Sequence, residues 1–168
     1  MKNISFKNDV LPLKNQLYRL ALRITLDSAE AEDIVQETLI KVWNKRDSWD
    51  EIESIEAFSF TICRNIALDS IKKLGNNSDS LDRKDASDSA YNPYEDIIHR
   101  DRIKVVKQIV DGLPEKQRSC MQLRDFEGKS YKAIAAMLEI TEEQVKINIY
   151  RARQTVKQRF QEIDNYGL

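Results

Sequence analysis

The chain has 168 residues, with 27 Lys and Arg against 28 Asp and Glu, a formal net charge of −1, and only four glycines and three prolines. That length admits one domain or two small ones, and the scarcity of Gly and Pro beside abundant Leu, Ile, Lys, Glu, Gln and Arg favours helices over a sheet. No apolar run approaches the ~20 residues of a membrane span, and the opening MKNISFKNDVLPLK lacks a signal-peptide core, so Cys63 and Cys120 are expected as buried thiols of a cytoplasmic protein.

A first helix is expected over about Val10–Ile24, with Leu13, Leu17, Leu20 and Ile24 at helical spacing. Asp27 and Glu30 stand at capping-box spacing and open a second helix, Ser28 to about Arg46. Its apolar seam is Ile34, Val35, Thr38, Leu39, Val42 and Trp43. Asp33, Gln36 and Glu37 share another face at i, i+3 and i+4, either as a solvated acidic face or as a docking surface for a basic partner. The stretch NKRDSWDEIES reads as a loop holding Trp49.

A third helix is expected over about Ile55–Leu74. It has two apolar stripes, Phe58/Ile62/Ile66 and Phe60/Cys63/Ala67/Ile71, which predicts a central position. Phe58 and Phe60 read as core. Arg64, Asn65 and Lys72 are harder to assign to a core, and cations such as these and Lys73 interleaved with aromatics suit unpaired bases on a neutralised backbone.

Residues 75–92, GNNSDSLDRKDASDSAYN, are too polar to offset their ordering entropy and are expected to be a flexible linker. They divide the chain into units 1–74 and 93–168, each near the lower size limit for independent folding, so that marginal stability or a supporting partner is expected. The second unit should hold about four helices. One runs from about Tyr94 to Val110, and the next follows Leu113-Pro114, with Pro114 pre-set for a first turn.

The last two form a helix-turn-helix over Ser130–Arg153, SYKAIAAMLEITEEQVKINIYRAR. Ile134, Ala135, Leu138 and Ile140 face inward, Thr141 and Gln144 form a capping box, and Val145, Ile149 and Ala152 continue the seam. Lys146, Tyr150, Arg151, Arg153 and Lys157 point elsewhere, as a major-groove helix requires. Residues 104–160 carry 12 Lys/Arg against 7 Asp/Glu, a modest basic patch that makes DNA the first candidate partner and predicts weak, salt-sensitive binding.

No enzyme is expected. The one histidine, His99, has no second His or Cys at ligand spacing, and no glycine-rich phosphate loop or activated cysteine is visible. No catalytic residue, metal ligand or cofactor is assigned.

Taken together, AEDIVQETLIKVW, AFSFTICRNIALDSIKK, LPEKQRSCMQL and VKINIYRAR resemble, in this order, segments of the extracytoplasmic-function RNA polymerase sigma factors. The likeness runs from about Leu11 to Phe160. It implies an all-α fold of two small helical domains joined by a flexible linker, the first (1–74) binding core polymerase and the −10 element, the second (93–168) reading the −35 element. It further implies that Asp33, Gln36 and Glu37 grip the clamp helices of core RNA polymerase, and that the Asn44–Ser54 loop with Trp49 captures a flipped −10 base. Arg64, Asn65, Lys72 and Lys73 would hold the adjacent promoter DNA. Lys146, Tyr150 and Arg151 would face the −35 groove, with Arg118 and Ser130 on its backbone. An anti-sigma factor is an implied partner.

The chain departs from the family pattern at Ala133, where Glu is usual, at Glu139, where Gly is usual, at Phe58-Ser59 and at Ile147-Asn148. Two other readings of the residues remain at this point. A stand-alone helix-turn-helix regulator has no use for the Asp33/Gln36/Glu37 face, and a protein-binding helical adaptor has none for Lys146, Tyr150 and Arg151.

Overall fold

The computed structural model describes residues 3–76 and 97–165, with side chains described for 3–75 and 101–165. Seven α-helices form among the described residues, and no strand. They are α1 (Lys14–Thr25), α2 (Ser28–Asn44), α3 (Ile55–Asn76), α4 (Ile97–Asp111), α5 (Glu115–Met121), α6 (Tyr131–Leu138) and α7 (Glu142–Asn165). A 3-10 helix, Arg46–Glu51, joins α2 to α3, and a π turn, Gln122–Phe126, follows α5.

The first helix begins four residues later than periodicity suggests. Pro12 has no N–H to give a carbonyl four residues back, so the chain enters α1 through a π turn, Phe6–Val10, and a 3-10 turn, Leu11–Leu13. At the other end of the first unit α3 continues through Gly75 to Asn76, so the first two residues assigned to a linker are helical. The remainder of that segment, 77–92, and the start expected for the fourth helix at Tyr94 lie outside the described residues. Pro114 stands as the N-cap of α5, one residue before its first turn.

Capping follows the side-chain chemistry, with two exceptions. The Thr141/Gln144 box is complete, the Thr141 N–H donating to Gln144 Oε1 at 2.9 Å and the Gln144 N–H to Thr141 Oγ1 at 3.1 Å. Asp27 accepts from the N–H groups of Ala29 and Glu30. Glu30 does not reciprocate; its carboxylate accepts the Ser70 hydroxyl at 3.1 Å and ties α2 to α3 instead. Ser130 caps α6 through the Ala133 N–H at 3.0 Å, and Ala133 has no side chain to return the bond.

Helices α1, α2 and α3 pack as a three-helix unit around Leu17, Leu20, Ile24, Ile34, Phe60 and Cys63, all essentially without solvent exposure. The same apolar cluster continues without a break into Cys120, Leu123, Ile134, Met137, Leu138, Val145 and Ile149 of the second unit. The two stripes of α3 explain this. Phe60, Cys63 and Ala67 are fully buried, while Phe58 and Ile62 join a separate cluster with Val10, Val42 and Trp49. Instead of awaiting an outside partner, each small unit buries apolar surface against the other.

Charged pairs frame this junction. Arg19 forks onto both Glu127 oxygens at 2.6 Å, Arg23 reaches Asp111 at 2.8 Å, Arg64 forks onto Glu115 at 3.0 Å, and Lys129 reaches Glu56 at 2.8 Å. Burial pushes the Glu127 carboxyl up, but the hydrogen bonds and charge of Arg19, with Gln122 and Lys129, outweigh it and hold the group below its ordinary value.

Two non-glycine residues close helices in the left-handed region, Leu26 (φ 60) after α1 and Glu139 (φ 57) after α6. The Glu139→Gly substitution should therefore raise unfolding free energy by about 1 kcal/mol, read as a later urea midpoint with unchanged slope. Burial pushes the thiols of Cys63 and Cys120 up to about 12, Glu115 adding to the effect at Cys120. Both should resist a thiol reagent at mild pH until urea is added. Their folded values lie above the unfolded one, so stability should be level below ~8.5 and decline as pH rises from there towards the folded value.

Candidate functional site

Helix α2 turns Ile34, Val35, Thr38 and Val42 inward, which leaves Asp33, Gln36 and Glu37 exposed on its outer side. Glu37 is loosely paired with Lys41 at 3.6 Å, both well exposed, so the pair leaves the face open. Beside these residues runs an apolar groove lined by Phe6, Leu11, Gln36, Leu39, Ile40 and Trp43. Ile40 is 59% exposed and Trp43 46%. Trp43 is held in place by Arg46, whose guanidinium lies 4.6 Å from the ring centroid, and by an edge contact to Phe6 at 5.3 Å.

This groove is the part of the site that sequence reasoning missed. Periodicity placed Trp43 in the buried seam, whereas the ring is 46% exposed and meets Phe6 and Trp49 edge-on. A signal existed: Gln36, Ile40 and Trp43 at i, i+4 and i+7 mark a second stripe that the carboxylates flank.

Trp49 behaves in the opposite way. It is 7% exposed and packs with Val10 and Val42, and its indole N–H donates to the Val42 carbonyl at 3.1 Å. In this arrangement the ring has no free face on which a base could stack. It anchors the 3-10 helix that follows α2.

Along α3 the structure separates the expected DNA residues. Asn65, Lys72 and Lys73 are exposed. Arg64 is not: its side chain is 12% exposed, its fork is filled by Glu115, and its Nη1 donates to the Leu138 carbonyl at 3.4 Å.

In the second unit, α7 buries Val145, Ile149 and Ala152 and carries Lys146, Ile147, Tyr150 and Arg151 on its outer face, with Tyr150 64% exposed. These are contiguous at helical spacing and exposed. Arg153 is turned aside by Asp125, and Lys146 lies 5.8 Å from the Tyr131 ring centroid. Arg118 departs from expectation. It is 9% exposed and donates to the carbonyls of Asp111 at 2.8 Å and Ile24 at 3.3 Å, which makes it a structural tie. Ser130 is occupied as the α6 N-cap.

An exposed apolar groove edged by carboxylates can accept the apolar face of an amphipathic basic helix. A helix-turn-helix with a cationic, aromatic outer face can enter a major groove. Among the described residues no helix is long and apolar enough to cross a membrane.

Comparison with known proteins agrees with this arrangement. Residues 10–76 match the family Sigma-70 region 2, and residues 103–156 match Sigma-70, region 4. The chain is 31% identical over 150 residues to the ECF RNA polymerase sigma factor SigL of Mycobacterium tuberculosis, covering 88% of this chain and 84% of that one. It is 32% identical over 149 residues to the ECF RNA polymerase sigma factor SigE of Mycolicibacterium smegmatis, covering 85% of this chain but only 56% of that relative. Its fold matches the sigma factor RpoE of Bartonella quintana, solved with the anti-sigma factor NepR, at a TM-score of 0.71 and 28% identity over 95% of this chain and 98% of the other. The chain belongs to the sigma-70 family of RNA polymerase sigma factors. Within it, the chain is one of the extracytoplasmic-function members.

Because Arg118 ties three segments together and Arg151 is exposed, alanine at the two positions should separate stability from binding. Arg118→Ala should cost about 1–3 kcal/mol by leaving buried carbonyls unpaired. Arg151→Ala should stay within about 0.5 kcal/mol of the parent in urea unfolding.

Proposed function

We propose that this chain is a non-catalytic, cytoplasmic subunit that binds core RNA polymerase through α2 and carries it to promoters recognised at −10 and −35. The observation that carries the reading is the groove of Leu11, Leu39, Ile40 and Trp43 with Gln36 on its rim, flanked by Asp33 and Glu37. Apolar surface exposed beside carboxylates suits a partner helix of complementary charge, and a stand-alone DNA regulator has no use for it.

On this reading Lys146, Tyr150 and Arg151 enter the −35 major groove, with Ile147 at its edge. Ser130 and Arg118 support the helix pair from behind; neither is placed as a direct backbone contact. Asn65, Lys72, Lys73 and Arg64 hold the −10 region. The Asn44–Ser54 segment reads the displaced strand with its exposed residues, and Trp49 fixes the segment's shape. The small basic surface makes intrinsic DNA affinity low, and tethering of both units to polymerase supplies the remainder. The likeness to a sigma factor solved with its anti-sigma factor supports a protein inhibitor of the same kind for this chain.

The test is reconstitution with core polymerase on a promoter taken from start sites mapped after overexpression. The parent should give run-off transcript. Ile40→Glu should weaken polymerase capture at least about tenfold, a change of ~1.4 kcal/mol, without altering the unfolding curve. Absence of polymerase binding by the parent, together with tight binding of duplex DNA by the chain alone, would establish the stand-alone regulator instead.

A further inference from the structure

The first two turns of α7 hold two side-chain amides, the groups that read adenine most directly, and both are tied to their own helix. Gln144 Oε1 accepts the Thr141 N–H at 2.9 Å and so belongs to the cap. The Asn148 amide donates back to the Gln144 carbonyl at 2.8 Å. Of the cations, Arg153 is held by Asp125 and Lys146 lies beside the Tyr131 ring.

The middle of the outer face belongs to Ile147. It stands two residues after the buried Val145 and two before the buried Ile149, which at about 100° per residue sets it opposite the seam. It is 47% exposed, and Tyr150, one turn on, is more so. Glu143 and Arg151, four residues to either side, are exposed and frame it with one charge of each sign. A single isoleucine on an ordinary surface needs no explanation. At the crest of a helix placed in a major groove it does, because the base edges there are donors and acceptors except for the C5-methyl of thymine.

We propose that Ile147 is a specificity-determining residue that packs on a thymine methyl of the −35 element, so that the chain selects one T·A pair there by apolar contact. The inference rests on the placement of α7 in the −35 groove made above, and it carries Ile147 from the edge of that groove onto its floor. Taking one methyl group out of water is worth about fourfold in affinity. The contact carries no charge and releases no counterion, so it adds selectivity without adding salt dependence.

The test uses the full chain assembled with core polymerase and a fluorescein-labelled promoter duplex taken from a mapped start site. Each thymine of the −35 element, on either strand, is replaced in turn by deoxyuridine, which keeps every hydrogen-bonding group and lacks only the methyl. At one position the parent should lose about fourfold in affinity, whereas Ile147→Ala should bind the thymine and uracil duplexes equally. Ile147→Val, which keeps a branched side chain, should retain part of the discrimination. In a salt titration Ile147→Ala should leave the slope of log affinity against log salt unchanged, while Arg151→Ala should flatten it by about one.

Indifference of the parent to uracil at every position, an equal loss in the parent and Ile147→Ala, or a −35 element with no T·A pair overturns the proposal. A duplex with a scrambled −35 element judges the underlying placement separately. If the parent binds it as well as the intact promoter, α7 does not read −35 and both readings fall. If the parent binds it worse while uracil has no effect, the placement stands and only the role of Ile147 fails.

Discussion

The last carbonyls of α6 and the side chains of α3 that meet them set how the two described units dock. An α-helix leaves its last carbonyls without partners, and α6 ends on Glu139 in the left-handed region directly after Leu138. Thr61 and Arg64, three residues apart on one face of α3, supply the missing donors. Their neighbours Phe60 and Cys63 sit fully buried in the apolar cluster that runs from α1 to α7. Polar satisfaction and apolar burial therefore select the same docking of the two units, and neither alone would specify its register.

That arrangement gives the two functional surfaces different standing. Helix α2 contributes its inner face to the three-helix unit, while Ile40 and Trp43 remain partly in solvent beside Gln36, with Trp43 held by Phe6, Trp49 and Arg46. Helix α7 is held from one side by Val145, Ile149 and Ala152, which leaves Tyr150 and its neighbours outward. Helix α3, in contrast, shares its polar side with the interior: Asn65, Lys72 and Lys73 are exposed, while Arg64 is held by Glu115. A helix required to be core for one unit and partner for another cannot present all its cations at once.

Local signals in the sequence translated well into local structure. The Thr141/Gln144 box and the Ser130 and Asp27 caps appear where hydroxyl and carboxylate chemistry places them. The helical faces of α2 and α7 also follow from spacing, because within one helix spacing is geometry. The errors have one origin. Trp43 is half-exposed where a seam residue was expected, Trp49 is buried, and Arg118 is a buried tie instead of a surface cation. Periodicity reports the direction in which a side chain leaves its own helix, but not whether a neighbour is present at that height. Composition marks Arg as a surface residue, although its fork can satisfy two backbone carbonyls at a helix junction.

The amino-acid sequence by itself determined the all-helical character, the seams that build each unit, the caps, and the family to which the chain belongs, since these depend on residue type and short-range spacing. The docking of the two units, the engagement of Arg64 with Glu115 and the exposure of the α2 groove were decided only by tertiary structure. The docking depends on contacts between residues 51 to 108 positions apart in the chain, and the groove on Phe6 meeting Trp43; the energies of both come from which surfaces meet.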